Sequence, residues 1–183
     1  EMPAFAISDG GGLLVADKYP LVESHRHFSH LMAIHPLGII DRSQGAAAEK
    51  TITVSLADLD RLGSRNWCGY SFAWLAALSA RNYDGEKAAK ALQIFADAFV
   101  LPNGFHCNGD QSGKGYSSFD YRPFTLEGNF AAAAGLQEML LQSHRGYIEV
   151  FPAIPESWTD TRFHRLRAQG AFLVSAERQG GVV

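Results

Sequence analysis

The sequence predicts a mainly helical fold with a strand-rich tail, the helices belonging to a larger helical barrel and the strands opening a β domain. Three observations carry this. Helical apolar spacing, or helix start and stop signals, mark five segments before residue 146. From Tyr147 onward, short β-type runs alternate with turn residues. The connections between the helices are too long for a closed bundle. The expected division is 1–146 for the barrel portion and 147–183 for the β part.

The elements follow in order. After a Gly-rich opening at residues 9–12, a first helix is expected over 24–35, with Ser24 as N-cap and Pro36 ending it. A second helix, 46–59, has an Ala-rich start, although its Thr-Ile-Thr-Val stretch has β character. A third, 67–83, places Tyr70, Trp74 and Leu78 at i, i+4 and i+8. A fourth is capped by Asp84, carries Ala88, Leu92, Phe95 and Phe99 on one side, and stops before Pro102. The polar, Gly-rich stretch 102–123 is long for a compact domain and reads as a functional loop. A fifth helix, 129–143, is dense in alanine, so a bulky neighbour can approach it closely. Strands are expected at 147–150, 163–168 and 171–176, with a Gln169-Gly170 turn.

Composition limits the function classes. The 183 residues are 46% hydrophobic and 11% aromatic, which excludes a disordered chain and suits one domain with a core. A net charge of -3 lacks the basic footprint of a nucleic-acid binder. Cys68 and Cys107 are too few for a disulfide scaffold. No apolar run reaches the roughly 18 residues of a membrane span. The start, Glu1-Met2-Pro3, has neither a basic region nor an apolar stretch. That start and the tail Arg178-Gln179-Gly180-Gly181-Val182-Val183, which reads as a hairpin turn with its second strand just begun, suggest part of a longer protein.

Two clusters carry candidate chemistry. In Glu23-Ser24-His25-Arg26-His27-Phe28-Ser29-His30, a helix would put His27 and His30 on one face. Three readings stay open: a zinc site, which the spacing fits poorly, histidines satisfied at a helix start, or Arg26 and His27 on a polar ligand with His30 in support. In Phe124-Thr125-Leu126-Glu127-Gly128-Asn129-Phe130, Glu127 is either a cap or an acid–base group in apolar surroundings that shift its pKa. The stretch 108–115 fails both as a calcium loop, with Phe119 at the twelfth position, and as a phosphate loop, with Gly115 after Lys114. Trp67 and Tyr70, at a helix start, are candidates for stacking on a sugar, whereas Trp74 and Phe95 belong to the core. No metal or cofactor is called for.

His25-Arg26-His27-Phe28-Ser29-His30-Leu31 resembles the H-R-H-x-S-H-L motif of glycoside hydrolase family 95, the inverting α-L-fucosidases and related α-L-galactosidases. The blocks Phe119-Asp120-Tyr121-Arg122-Pro123-Phe124, Leu126-Glu127-Gly128-Asn129-Phe130 and Glu138-Met139-Leu140-Leu141-Gln142-Ser143 are similar to the family's next segment. Val150-Phe151-Pro152-Ala153-Ile154-Pro155, with Trp158 and 166–172, looks like the strands after its barrel.

The resemblance implies the last part of an (α/α)6 barrel and the start of a β-sandwich-like domain. It further implies a carbohydrate-degrading hydrolase without cofactor, secreted or periplasmic, acting on oligosaccharides with terminal α-L-fucose or α-L-galactose. The family's general acid, a Glu, and its base, an Asn polarised by a carboxylate, are both expected ahead of this chain by motif order. The chain alone is therefore expected to be inactive, and to associate with the missing barrel half or with itself. Glu127 falls on the polarising carboxylate; Arg26 and His27 fall on sugar contacts, with His30, Asn129, Trp67 and Tyr70 as further substrate-binding candidates. Glu127 replaces the family's usual Asp, and Arg122 stands near its usual His, which keeps α-L-galactoside as the alternative substrate. A non-catalytic binding face made of Arg26, His27 and Trp67 is the alternative of another class.

Overall fold

In the computed structural model, which describes residues 4–183, the helical part is built around one buried helix. Helix α1 spans Ala46–Leu62, α2 Gly69–Arg81, α3 Gly85–Phe99 and α4 Leu126–Leu140. The start at Glu1-Met2-Pro3 lies outside the described residues. Helix α2 is buried on nearly every side, from Gly69 to Arg81 with Tyr70 as the exception. Its sequence, apolar or small all round, allows this. It packs between α3 and α4. The approach to α4 is close: a Cβ at Gly135 would lie 3.1 Å from the Ala73 carbonyl oxygen and 3.2 Å from Ala76.

The expected helix over 24–35 does not form. Only Ser29–Ala33 is helical, as a 3₁₀ turn. Phe28, Leu31 and Ile34 are almost wholly buried and recur every three residues, the period of a 3₁₀ helix and not of an α-helix. Ser24 does not cap a helix. Its hydroxyl donates to the Gly63 carbonyl at 2.8 Å and accepts from the Asn66 amide at 3.0 Å, pinning the chain to the end of α1.

The other helices form where expected, with shifted ends. In α1 the Thr-Ile-Thr-Val run is helical because Ile52, Leu56 and Leu59 bury one stripe. Asp84 caps α3 by accepting from the Lys87 amide at 2.9 Å. The last helix begins earlier than expected, so Glu127 lies in its first turn.

Its end feeds into β1 (Leu141–Gln142), a strand the sequence did not suggest, paired antiparallel with β2 (Glu149–Val150). Strands β3 (Thr161–Arg167) and β4 (Leu173–Arg178) form a second antiparallel pair, with a register shift between Phe163 and Leu166. Beyond β4, Gly180 and Gly181 both take positive φ (54° and 86°) in a turn closed by Gln179 and Val182, as a two-residue hairpin turn requires. The protein is thus mainly helical with short strands, a partial helical barrel followed by a β part.

A network of charges joins these parts. The guanidinium of Arg81 donates to both oxygens of Glu138, at 2.6 and 2.9 Å, and Arg81 is only 6% exposed. Next to it, His144 and Asp41 are bonded at 2.8 Å, and Arg145 reaches both Asp41 and Glu149. Residues from the 3₁₀ connection, α2, α4 and the first hairpin are held together here. The Asp41 carboxyl is pulled below its ordinary value: burial opposes this, but hydrogen bonds from Ser43 and His144 prevail.

Candidate active site

Helix α4 sets the position of Glu127. Thr125 is its N-cap, and the short side chains that follow let the helix lie against α2. The Glu127 side chain makes no hydrogen bond among the described residues, so capping does not occupy its carboxylate. It is exposed at the rim of a cavity of about 360 Å³, which has Tyr70, Trp74, His35 and Phe130 in its walls and Ala77, Ala131 and Ala134 between them. The apolar enclosure expected for Glu127 is not there; the apolar surface lies beneath it.

Tyr70 and Glu127 face the same space. Burial holds the Tyr70 phenol above its ordinary value, with negative charge at Cys68 and at Glu127 adding to it. Trp74 stacks edge-on against Tyr70 with ring centroids 5.9 Å apart, and its indole N–H donates to the His35 carbonyl at 3.0 Å. Trp74 therefore serves the core and the cavity wall together. His35 lies against Glu138, its Nε2 3.7 Å from that carboxylate. Burial pushes the His35 ring down to about 4, only partly offset by Glu138, so the wall is uncharged there at neutral pH.

The histidine motif is divided. Arg26 and His27 are exposed and bonded to each other, Arg26 Nε donating to His27 Nε2 at 3.1 Å. His27 is kept below its ordinary value by burial and then by the charges of Arg26 and His25. Neither residue lines the Glu127 cavity. Their segment is tied to α2, where the Arg26 carbonyl accepts from the Ser71 hydroxyl at 2.8 Å, one residue along the chain from Tyr70. His30 points elsewhere, into a separate cavity against α1 that Ser55 and Asp58 also line. The shared face expected for His27 and His30 requires an α-helix that does not form.

Two further candidates have other contacts. Trp67 is a core residue, 4% exposed, with ring centroids 5.0 Å from both Phe28 and Phe72. It offers no face to a sugar. The amide of Asn129 is engaged on both sides, accepting from the His106 N–H at 2.9 Å and donating to the Gly104 carbonyl at 2.9 Å. It anchors the 102–123 loop. That loop is held from within by Asp110, whose carboxylate accepts from Ser112 N–H and O–H and from Tyr116 N–H at 2.6–2.8 Å. Arg122 is exposed and bonded to Gln111. Among the described residues no group of three or more His, Cys, Asp or Glu side chains could hold a metal ion. Sequence reasoning missed His35, whose only local signal is its place before Pro36, and His106, a lone histidine in a polar loop.

A partial helical barrel with a carboxylate at the rim of an aromatic-walled cavity is an arrangement that suits a carbohydrate-active hydrolase. Comparison with protein families agrees: the glycosyl hydrolase family 95 catalytic domain matches residues 14–140, and the family's C-terminal domain matches 142–183. The chain belongs to glycoside hydrolase family 95. It is similar to alpha-L-fucosidase 2 of Arabidopsis thaliana, with 29% identity over 158 residues. That match takes in 86% of this chain and 18% of the plant protein's length.

Proposed function

We propose that this chain contributes part of the active site of an inverting glycosidase that releases terminal α-L-fucose, with α-L-galactose as the alternative sugar. The observation that carries this is Glu127, its carboxylate uncommitted to capping, at the rim of a cavity walled by Tyr70, Trp74 and Phe130. A volume of about 360 Å³ falls within the roughly 300–1,000 Å³ of small-molecule sites. Aromatic rings suit the apolar faces of a sugar, while Ala77, Ala131 and Ala134 offer a wall suited to the C6 methyl of a 6-deoxy sugar. That wall favours fucose over galactose, which carries a hydroxyl at C6.

In an inverting reaction, one group protonates the leaving oxygen while a base on the opposite face activates water. In this reading Glu127 accepts a hydrogen bond from the amide of the catalytic Asn. Its negative charge raises the proton affinity of the amide oxygen, which orients the water and takes its proton. The Asn and the acidic Glu come from the barrel helices outside this chain, from the same polypeptide or an associated one, in an extracellular or periplasmic enzyme. Arg26 and His27, tied to α2 through Ser71, approach the sugar from the side. The alternative of a non-catalytic binding face loses its aromatic platform with the burial of Trp67.

The test is made on the protein carrying the complete barrel, with nitrophenyl α-L-fucoside and α-L-galactoside as substrates. Proton NMR should show the β-anomer of the sugar first, with the fucoside turned over faster. First release of the α-anomer, or no hydrolysis of either substrate, contradicts the reading.

A further inference from the structure

Two glycines flank the cavity residues Tyr70 and Glu127: Gly69 precedes the first and Gly128 follows the second. Both press on one imidazole. A Cβ at Gly128 would overlap Nδ1, Cγ and Cε1 of His106, and a Cβ at Gly69 would overlap its Nε2 and Cδ2. The ring thus fills the gap between the first turns of α2 and α4, with backbone against it from either helix. Neither glycine is there for its φ; each is there for closeness.

His106 is fixed in every other direction as well. It is fully buried, and it stacks on Phe95 at 5.4 Å with the planes 15° apart. Its Nδ1 lies 2.7 Å from the carbonyl oxygen of Thr125, the N-cap of α4, and must donate there. Its main-chain N–H donates to Asn129 on the same helix. Burial lowers the proton affinity of the ring, against the Thr125 carbonyl and the Glu127 charge, and the carbonyl keeps hydrogen on Nδ1.

We propose that His106 is a positioning residue: its ring is the spacer that sets the distance between Gly69 and Gly128, and so between Tyr70 and Glu127 across the cavity. The proposal rests on Glu127 being the working carboxylate of the site. A displacement of about 1 Å at such a group costs roughly 100-fold in rate, so a change in spacer thickness should appear in turnover before it appears in binding.

The experiment compares His106→Ala and His106→Phe in the protein carrying the complete barrel, at a temperature where circular dichroism shows each variant folded. His106→Ala should lower kcat at least about tenfold with KM within about threefold, and His106→Phe, which keeps a flat ring between the glycines, should recover most of the loss. Unchanged kcat in folded His106→Ala overturns the proposal. Glu127→Gln, measured alongside, separates the two claims. If it leaves turnover unchanged, the reading of Glu127 fails and the proposal falls with it; if it abolishes turnover while His106→Ala does not, the spacer alone is refuted. A wild-type measurement decides the matter should both variants unfold. Nitrogen-15 NMR of the 183-residue chain should show His106 with hydrogen on Nδ1 and a titration midpoint below the ordinary histidine value. A ring that titrates near 6.5 is not locked between two backbones, and the proposal is then wrong.

Discussion

Acidification from pH 7 to pH 5 should weaken the folded chain by about 2 kcal/mol through His35 alone. In the unfolded chain this imidazole takes up a proton near 6.5; in the folded chain it does so only near 4, because burial removes the water that would solvate the charge. Between those values the unfolded state holds more protons, so stability rises with pH there. The contribution is complete above 6.5 and is lost as pH falls towards about 4. Each pH unit well inside that window is worth about 1.4 kcal/mol, and the path from 7 to 5 crosses about one and a half of them. His27, His30, His106 and His144 are also held below their ordinary values and act in the same direction. The contribution of His35 is therefore isolated by His35→Gln, which cannot titrate. Urea unfolding of wild type and variant at both pH values is the assay. The loss between pH 7 and pH 5 should be about 2 kcal/mol smaller in the variant. Equal losses would refute the assignment of a buried, neutral ring at this wall of the cavity.

Other predictions concern groups with defined contacts. Arg81→Ala leaves Glu138 with its charge unpaired and should cost about 3–5 kcal/mol by urea unfolding, whereas the double change Arg81→Met/Glu138→Leu should recover most of that loss. Trp67→Ala should destabilise by about 3–5 kcal/mol, since it empties a core site between Phe28 and Phe72. In the folded fraction, fucose affinity measured by calorimetry on the protein carrying the complete barrel should be unchanged. Asp110→Ala removes the acceptor of three hydrogen bonds within the 102–123 loop. Limited proteolysis should then cut that loop about 5- to 30-fold faster, as expected when local opening becomes easier by about 1–2 kcal/mol.

The helices were legible because their signals are local. Asp84 announces α3 by its side chain, and the apolar stripe of α1 outweighs its β-branched run. The segment 24–35 was not legible, since what decides it is remote: Ser24 bonds to Gly63 and Asn66, and Arg26 to Ser71, some forty residues away. A spacing of three in Phe28, Leu31 and Ile34 was the signal that could have shown a 3₁₀ turn. Glu127 and Tyr70 line one cavity, and each stands at a helix start that its neighbours in sequence announce. Trp67 could not be told from a sugar platform, because its packing partners come from two separate segments. His106 was invisible for the same reason: its role lies in two glycines that meet it from different helices.

The most direct measurement is the hydrolysis of nitrophenyl α-L-fucoside by the protein carrying the complete barrel, with Glu127 and with Gln in its place. Gln keeps the size of the side chain and removes the charge that would polarise the catalytic amide. Turnover should fall by about 100-fold or more, with the variant as stable as the wild type. A folded Glu127→Gln protein working within a few-fold of wild type would contradict the account, and the cavity beneath α4 would then have to serve some purpose other than this chemistry.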